Sequence, residues 1–251
     1  MTSKLILLRH GESEWNNKHL FCGWVDVGLT SKGQQQAVQA ANLISQNGLS
    51  PDLMFTSKLT RSCETADIIS KSLGRMWMDV IRSWRLNERH YGALQGRKKS
   101  DVVAEVGKEK YMYWRRAYEG CPPLMNDEDE ALLIDDRYKY ADVPIEDLPR
   151  GESLKMVLER VRPFWETNIK SELLKNKTVL IVAHGSVVRS LIKIISTISD
   201  RDIEQINIPN GVPLVYEFDE KLGKIGDYYY LDPDAAEAGA KEVANQGLEK
   251  N

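Results

Sequence analysis

Two short apolar runs in this chain each stop at a histidine followed by a glycine. Lys4 to Leu8 leads through Arg9 to His10-Gly11, and Thr178 to Ala183 leads directly to His184-Gly185. Only four histidines occur in 251 residues, and two of them hold equivalent places. A neutral imidazole can serve as a nucleophile and take a group in transfer. The cations nearby narrow the choice of group. Arg9 adjoins His10, and Arg61 closes the stretch Ser57-Lys58-Leu59-Thr60-Arg61, where a helix N-terminus is expected to offer free N–H groups to an anion. Guanidinium forks match phosphate oxygens two at a time. They also repel the imidazolium form, which keeps the ring uncharged. The pattern predicts phosphoryl transfer through a phosphohistidine, with arginines steadying the equatorial oxygens and no metal taking part. A zinc site on His10, His184 and a carboxylate fits poorly. The chain has no HxH or HExxH spacing, and adjacent arginines would repel a divalent cation. His19 and His90 stand in loop-like contexts and receive no role.

The elements that must position these groups follow from length and periodicity. Lys4 to Leu8 and Thr178 to Ala183 read as strands, the second as a central strand covered on both faces. Asp52 to Phe55, Trp77 to Ile81 and Leu214 to Phe218 are further strand candidates. Helices are expected from an N-cap at Thr30 to Gly48, from near Ser57–Arg61 through Ile69, and from a cap at Ser153 through Val161, with Pro163 kinking or splitting the last. Val188, Leu191, Ile192 and Ile195 mark a helix leaving the second His-Gly pair. Strands alternating with helices predict an α/β three-layer sandwich with a mainly parallel sheet, and ligands in such sheets bind beyond the carboxyl ends of the strands.

Residues 93–150 break the rhythm and read as one inserted, lid-like segment over the site, within a single domain spanning 1–251. The acidic run Asp127 to Glu130 reads as solvated surface, and the Ala- and Glu-rich tail 232–251 as mobile. The charge balance of 34 basic to 37 acidic residues argues against sequence-blind nucleic-acid binding. The longest apolar run, Val179 to Ala183, is far too short to cross a membrane. Three scattered cysteines fit a reducing, cytoplasmic setting.

Arg9 to Asn16 reads RHGESEWN, followed by Gly23-Trp24-Val25-Asp26, then Ser83 to Gly92 as SWRLNERHYG, and Ala244-Asn245-Gln246-Gly247 near the end. With these motifs the whole chain resembles the cofactor-dependent phosphoglycerate mutases of the histidine phosphatase superfamily. The resemblance implies a ping-pong transfer primed by 2,3-bisphosphoglycerate, interconverting 3- and 2-phosphoglycerate. It makes His10 the nucleophile, His184 its partner on the phosphoryl oxygens, Arg9 and Arg61 the phosphate clamp, and Glu88 the general acid/base. Ser13, Asn16, Cys22 and Gly23 would line the phosphate pocket, with Gly185 and Ser186 at its wall. Arg89, Tyr91, Lys99, Arg115 and Arg116 would hold the substrate carboxylate and second phosphate. The tail would fold over the site and exclude water, and the assembly would be a homodimer or homotetramer.

Two positions depart from the family pattern: Cys22 stands where Thr or Ser is common, and Ser186 where Asn is usual. The related bisphosphoglycerate mutases carry Ser at the place of Gly23, so Gly23 favours the glycolytic enzyme, whereas Cys22 is shared with that relative. A general phosphatase of the superfamily and a non-catalytic ligand-binding module are the remaining readings. The first has no use for a basic segment and closing tail. The second has no use for both histidines, Glu88 and the arginines together.

Overall fold

The computed structural model describes residues 2–126 and 138–248. The acidic run Asp127 to Glu130 lies outside them. In chain order the elements are β1 (Ser3–Arg9), α1 (Glu14–Asn17), α2 (Ser31–Gln46), β2 (Leu53–Thr56), α3 (Thr60–Ser72), β3 (Asp79–Arg82), α4 (Lys99–Val106) and α5 (Lys108–Arg116). They continue as α6 (Leu154–Phe164), α7 (Lys170–Leu173), β4 (Thr178–Ala183), α8 (Gly185–Ser196), β5 (Leu214–Phe218), β6 (Tyr229–Tyr230) and α9 (Pro233–Asn245). The strands form one sheet in the order β3-β2-β4-β1-β5-β6. β1, β2, β3 and β4 pair in parallel, and β5 and β6 add an antiparallel edge.

The central strands are apolar throughout because both faces are covered, and their side chains alternate between two cores. Leu5, Leu7, Phe55, Val179 and Ile181 pack on α6, α7 and α8. Ile6, Leu8, Met54, Leu180 and Val182 pack on α2 and α3. Thr30 Oγ1 caps α2 by accepting from Gly33 N (3.1 Å), and Gly48 takes φ +67° just past its end. Ser153 Oγ caps α6 by accepting from Met156 N.

Several local expectations are corrected. The third strand is Asp79–Arg82, two residues later than its sequence placement at Trp77, because Met78 N closes a turn onto Arg75 O before pairing begins. Trp77 is left 73% exposed. α3 opens at Thr60, inside the stretch Ser57–Arg61 where a helix start was expected, whereas two-residue β6 had no signal. Pro163 neither splits α6 nor ends it. The chain runs on through a π-helical turn, Trp165–Ile169, into α7. Within the tail 232–251 lies α9, capped by Asp232 and with Ala236 and Val243 buried.

Candidate active site

Parallel pairing of β1 with β4 sets Arg9 opposite Ala183, so the next residue on each strand, His10 and His184, must emerge side by side. Their ring centroids lie 4.9 Å apart with planes at 62°. The two rings are buried, at 2% and 0% exposure.

His10 is held in one tautomer. Its Nδ1 lies 2.6 Å from Gly11 O, a carbonyl that can only accept, so Nδ1 carries the proton and Nε2 keeps its lone pair. Arg61 Nε points at that lone pair from 3.3 Å. The guanidinium is fixed from behind, donating to Gly23 O (2.7 Å) and Val25 O (3.0 Å). Burial, then Arg61 and Arg9, hold the His10 pKa well below the ordinary histidine value. Burial and the same arginines do so for His184, with the His10 ring as a further cause. Arg9 donates Nη1–H to Ile208 O (2.8 Å), and its buried Nε has no protein partner.

Glu88 sits across the pocket on the N-terminus of α8. Its Oε1 accepts from Arg89 N (2.8 Å) and Ser186 N (3.1 Å). Burial pushes its pKa up. The hydrogen bond from Arg89, the charge of Arg9 and the contact with Ser186 outweigh that, so the carboxylate stays below its usual range. The salt bridge to Arg85 or Arg89 that local sequence would allow does not form.

The second cationic group comes from α4 and α5, and the tail reaches it. Lys99 Nζ donates to Gln246 Oε1 (2.8 Å), and Arg115 donates to Gln246 O (3.1 Å) and Val243 O (2.6 Å). Arg116 Nη2 reaches Val243 O at 3.3 Å. Burial, then Arg115, lowers the Lys99 pKa well below the usual lysine value, as expected for cations crowded without anions between them.

All expected site residues except Ser13, Arg89 and His184 line one pocket. Ser13 is buried beneath it, where its Oγ accepts from Asn16 N and caps α1. Arg89 braces the wall, donating to Arg115 O (2.8 Å) and Tyr91 Oη (3.2 Å). His184 lies behind His10, with Nε2 2.8 Å from Ser57 Oγ. The Cys22 thiol turns to Val25 O (3.5 Å) and stays protonated, because burial raises its pKa. Gly23 takes φ +56°, and a Cβ there would meet Gln95 Oε1 at 2.1 Å.

The α3 N-terminus does not present the open donors expected of it, since Thr60 N already donates to Asp26 Oδ1 (2.7 Å). His90, given no role above, is fully buried, and burial together with Arg160 pushes its pKa down to about 3. Three contributors escaped sequence reasoning. Arg189 lines the pocket from within an apolar helical stretch, Asn210 Nδ2 donates to His10 O (2.8 Å), and Ser57 holds His184. Ser57 had one available signal, its place directly after a strand. Among the described residues no group of three or more His, Cys, Asp or Glu could hold a metal.

Six cations, Arg9, Arg61, Lys99, Arg115, Arg116 and Arg189, thus converge on one carboxylate and a neutral imidazole. Only about 70 Å³ of room remains between them, against ~300–1,000 Å³ for a typical small-ligand pocket. Residues 5–131 and 125–229 match the model of the histidine phosphatase superfamily, branch 1. The chain is 49% identical over 245 residues to phosphoglycerate mutase 1 of Saccharomyces cerevisiae, covering 97% of this chain and 98% of that one. It is 51% identical over 249 residues to a 2,3-bisphosphoglycerate-dependent phosphoglycerate mutase of Streptomyces griseus, covering 98% of each. Among solved structures, a mycobacterial glucosyl-3-phosphoglycerate phosphatase aligns with a TM-score of 0.67 at 24% identity, over 85% of this chain and 92% of that one, a likeness of fold. With sheet order, site geometry and near-full-length identity in agreement, the chain belongs to the phosphoglycerate mutase family of the histidine phosphatase superfamily.

Proposed function

We propose that this protein interconverts 3-phosphoglycerate and 2-phosphoglycerate through phosphorylated His10. The observation that carries the reading is an uncharged His10 at the pocket wall, its Nε2 lone pair accepting from Arg61 Nε (3.3 Å) with Arg9 also lining the pocket. Bound there, 2,3-bisphosphoglycerate supplies the phosphoryl group that primes the histidine. Six cations facing one carboxylate, five of them buried and Arg116 partly so, with Arg9 Nε lacking a partner among the described residues, fit an anion bearing two phosphates and a carboxylate.

In the transfer from His10, Glu88 takes the proton of the attacking substrate hydroxyl as the new P–O bond forms and the N–P bond breaks. In the return step the lone pair of His10 attacks the other phosphate, and Glu88 gives its proton to the leaving oxygen. One proton is therefore borrowed and returned in each turnover. Arg9 and Arg61 steady the equatorial oxygens, His184 backs the His10 ring, and Lys99, Arg115 and Arg116 hold the far end of the substrate while Gln246 yields its place.

The three scattered free cysteines support placing the reaction in the reducing cytoplasm; among the described residues no helix is long and apolar enough to cross a membrane. Met76, Trp77 and Ile81, exposed beside the open edge of β3, support association into a homodimer or homotetramer. The decisive test follows acid-labile label from phosphoryl-labelled bisphosphoglycerate into protein, alongside phosphoglycerate interconversion. His10→Ala is expected to abolish both, and labelling that survives the change would overturn the assignment.

A further inference from the structure

Glu152 and Arg160 form an ion pair in the interior, with side chains only 3% and 7% exposed, and neither residue lines the pocket. A buried pair of this kind adds little net stability over apolar residues of the same shape, so stability alone does not account for it. Its geometry points elsewhere. Arg160, on the inner face of α6, donates Nε–H to Glu152 Oε1 (2.6 Å) and Nη2–H to Glu152 Oε2 (3.0 Å). The same guanidinium reaches the loop that carries Glu88: Nη1 donates to Arg85 O at 2.6 Å, and the second hydrogen of Nη2 is shared between Asn87 O and Glu88 O, each at 3.0 Å.

The Glu88 carbonyl takes a second donor, Trp24 Nε1, at 2.6 Å. Trp24 is 5% exposed, and its ring lies beneath the Arg160 guanidinium at 5.9 Å. Glu152 Oε2 also accepts from His90 N (2.8 Å), which pins the loop two residues beyond Glu88. The main chain of Glu88 is thus clamped from α6 and from the loop after α1, while its carboxylate rests on the N-terminus of α8.

We propose that Arg160, seated by Glu152, and Trp24 are positioning residues for Glu88, acting through its main chain to aim the carboxylate. This rests on the reading of Glu88 as the group that moves the proton. A proton carrier displaced by about 1 Å loses roughly 10²-fold in rate, whereas contacts to the substrate's charged ends are untouched. Arg160→Lys keeps the charge beside Glu152 but has no fork to span the three carbonyls. Trp24→Phe keeps a ring and removes a single N–H, so it carries the same test if the lysine variant does not fold.

The experiment measures kcat and KM for phosphoglycerate interconversion in Arg160→Lys, Trp24→Phe, Glu88→Gln and the two doubles with Glu88→Gln, each checked by circular dichroism. Expected are a fall in kcat of about 10–100-fold in each positioning variant, KM within about twofold, and doubles no slower than Glu88→Gln alone. Multiplying losses in the doubles, a KM that rises with the loss, or unchanged kcat in the positioning variants overturns the proposal. If Glu88→Gln is slow and both positioning variants are normal, the proposal falls and the proton-carrier reading stands. If Glu88→Gln itself turns over normally, both fall.

Discussion

With its Nδ1–H committed to the Gly11 carbonyl, His10 in the proposed reaction can meet phosphorus only through Nε2, the atom to which Arg61 Nε donates. Protonation of Nε2 would end the reaction, and burial with two guanidinium groups holds that event well below the ordinary histidine pKa. The sign follows directly: the reactive neutral form persists as pH falls through about 6.5. The profile of kcat/KM should therefore stay flat from about pH 8 to about pH 6, and an acid limb centred near 6.5 would contradict this electrostatic picture. Gly23 poses a steric question at the same scale. Its φ of +56° and the crowding of a Cβ against Gln95 mean that Gly23→Ser must displace the side chain that accepts from Trp24 N. The change should lower stability by about 1–3 kcal/mol in urea unfolding and slow turnover, because Gly23 O also seats Arg61.

Among the elements, α9 with Gln246 is the one proposed to control access. Its carbonyl oxygens occupy Lys99, Arg115 and Arg116, the cations proposed to hold substrate. Deleting residues 233–251 should leave His10 able to take a phosphoryl group but expose it to water. Interconversion should fall by at least about tenfold while release of inorganic phosphate from bisphosphoglycerate rises, and the two assays run side by side check it. The strands that deliver both histidines were legible because each is a continuous apolar run stopping at His-Gly, a pattern that a twice-covered parallel strand imposes. The antiparallel β6 was not, since two residues carry no periodicity. Arg189 and Arg160 were hidden for a related reason: an arginine within an apolar helical stretch reads as one reaching out to solvent, and only tertiary contact shows it turned inward. His90 looked idle in sequence because its burial under Trp24 depends on residues far away in the chain.

For the molecule as a whole, three histidines are held neutral in the interior. His90 reaches about 3, and His10 and His184 are also well below their ordinary value. Unfolding lets each take up a proton once pH drops below about 6.5, so stability is full above that value and declines beneath it, by up to about 1.4 kcal/mol per pH unit for each ring. Urea midpoints should fall between about pH 7 and about pH 5, and His90→Gln should flatten that slope. The pairing of β1 with β4 carries a last consequence, this one for the making of the protein. His10, the proposed nucleophile, is synthesised near the start and the His184 ring in the final third, and they meet only when the first strand is joined by β4. A chain that ends before β4, whether truncated there or still being synthesised, therefore lacks the pairing that sets the two rings together, and catalytic power switches on only as a late strand closes on the first one.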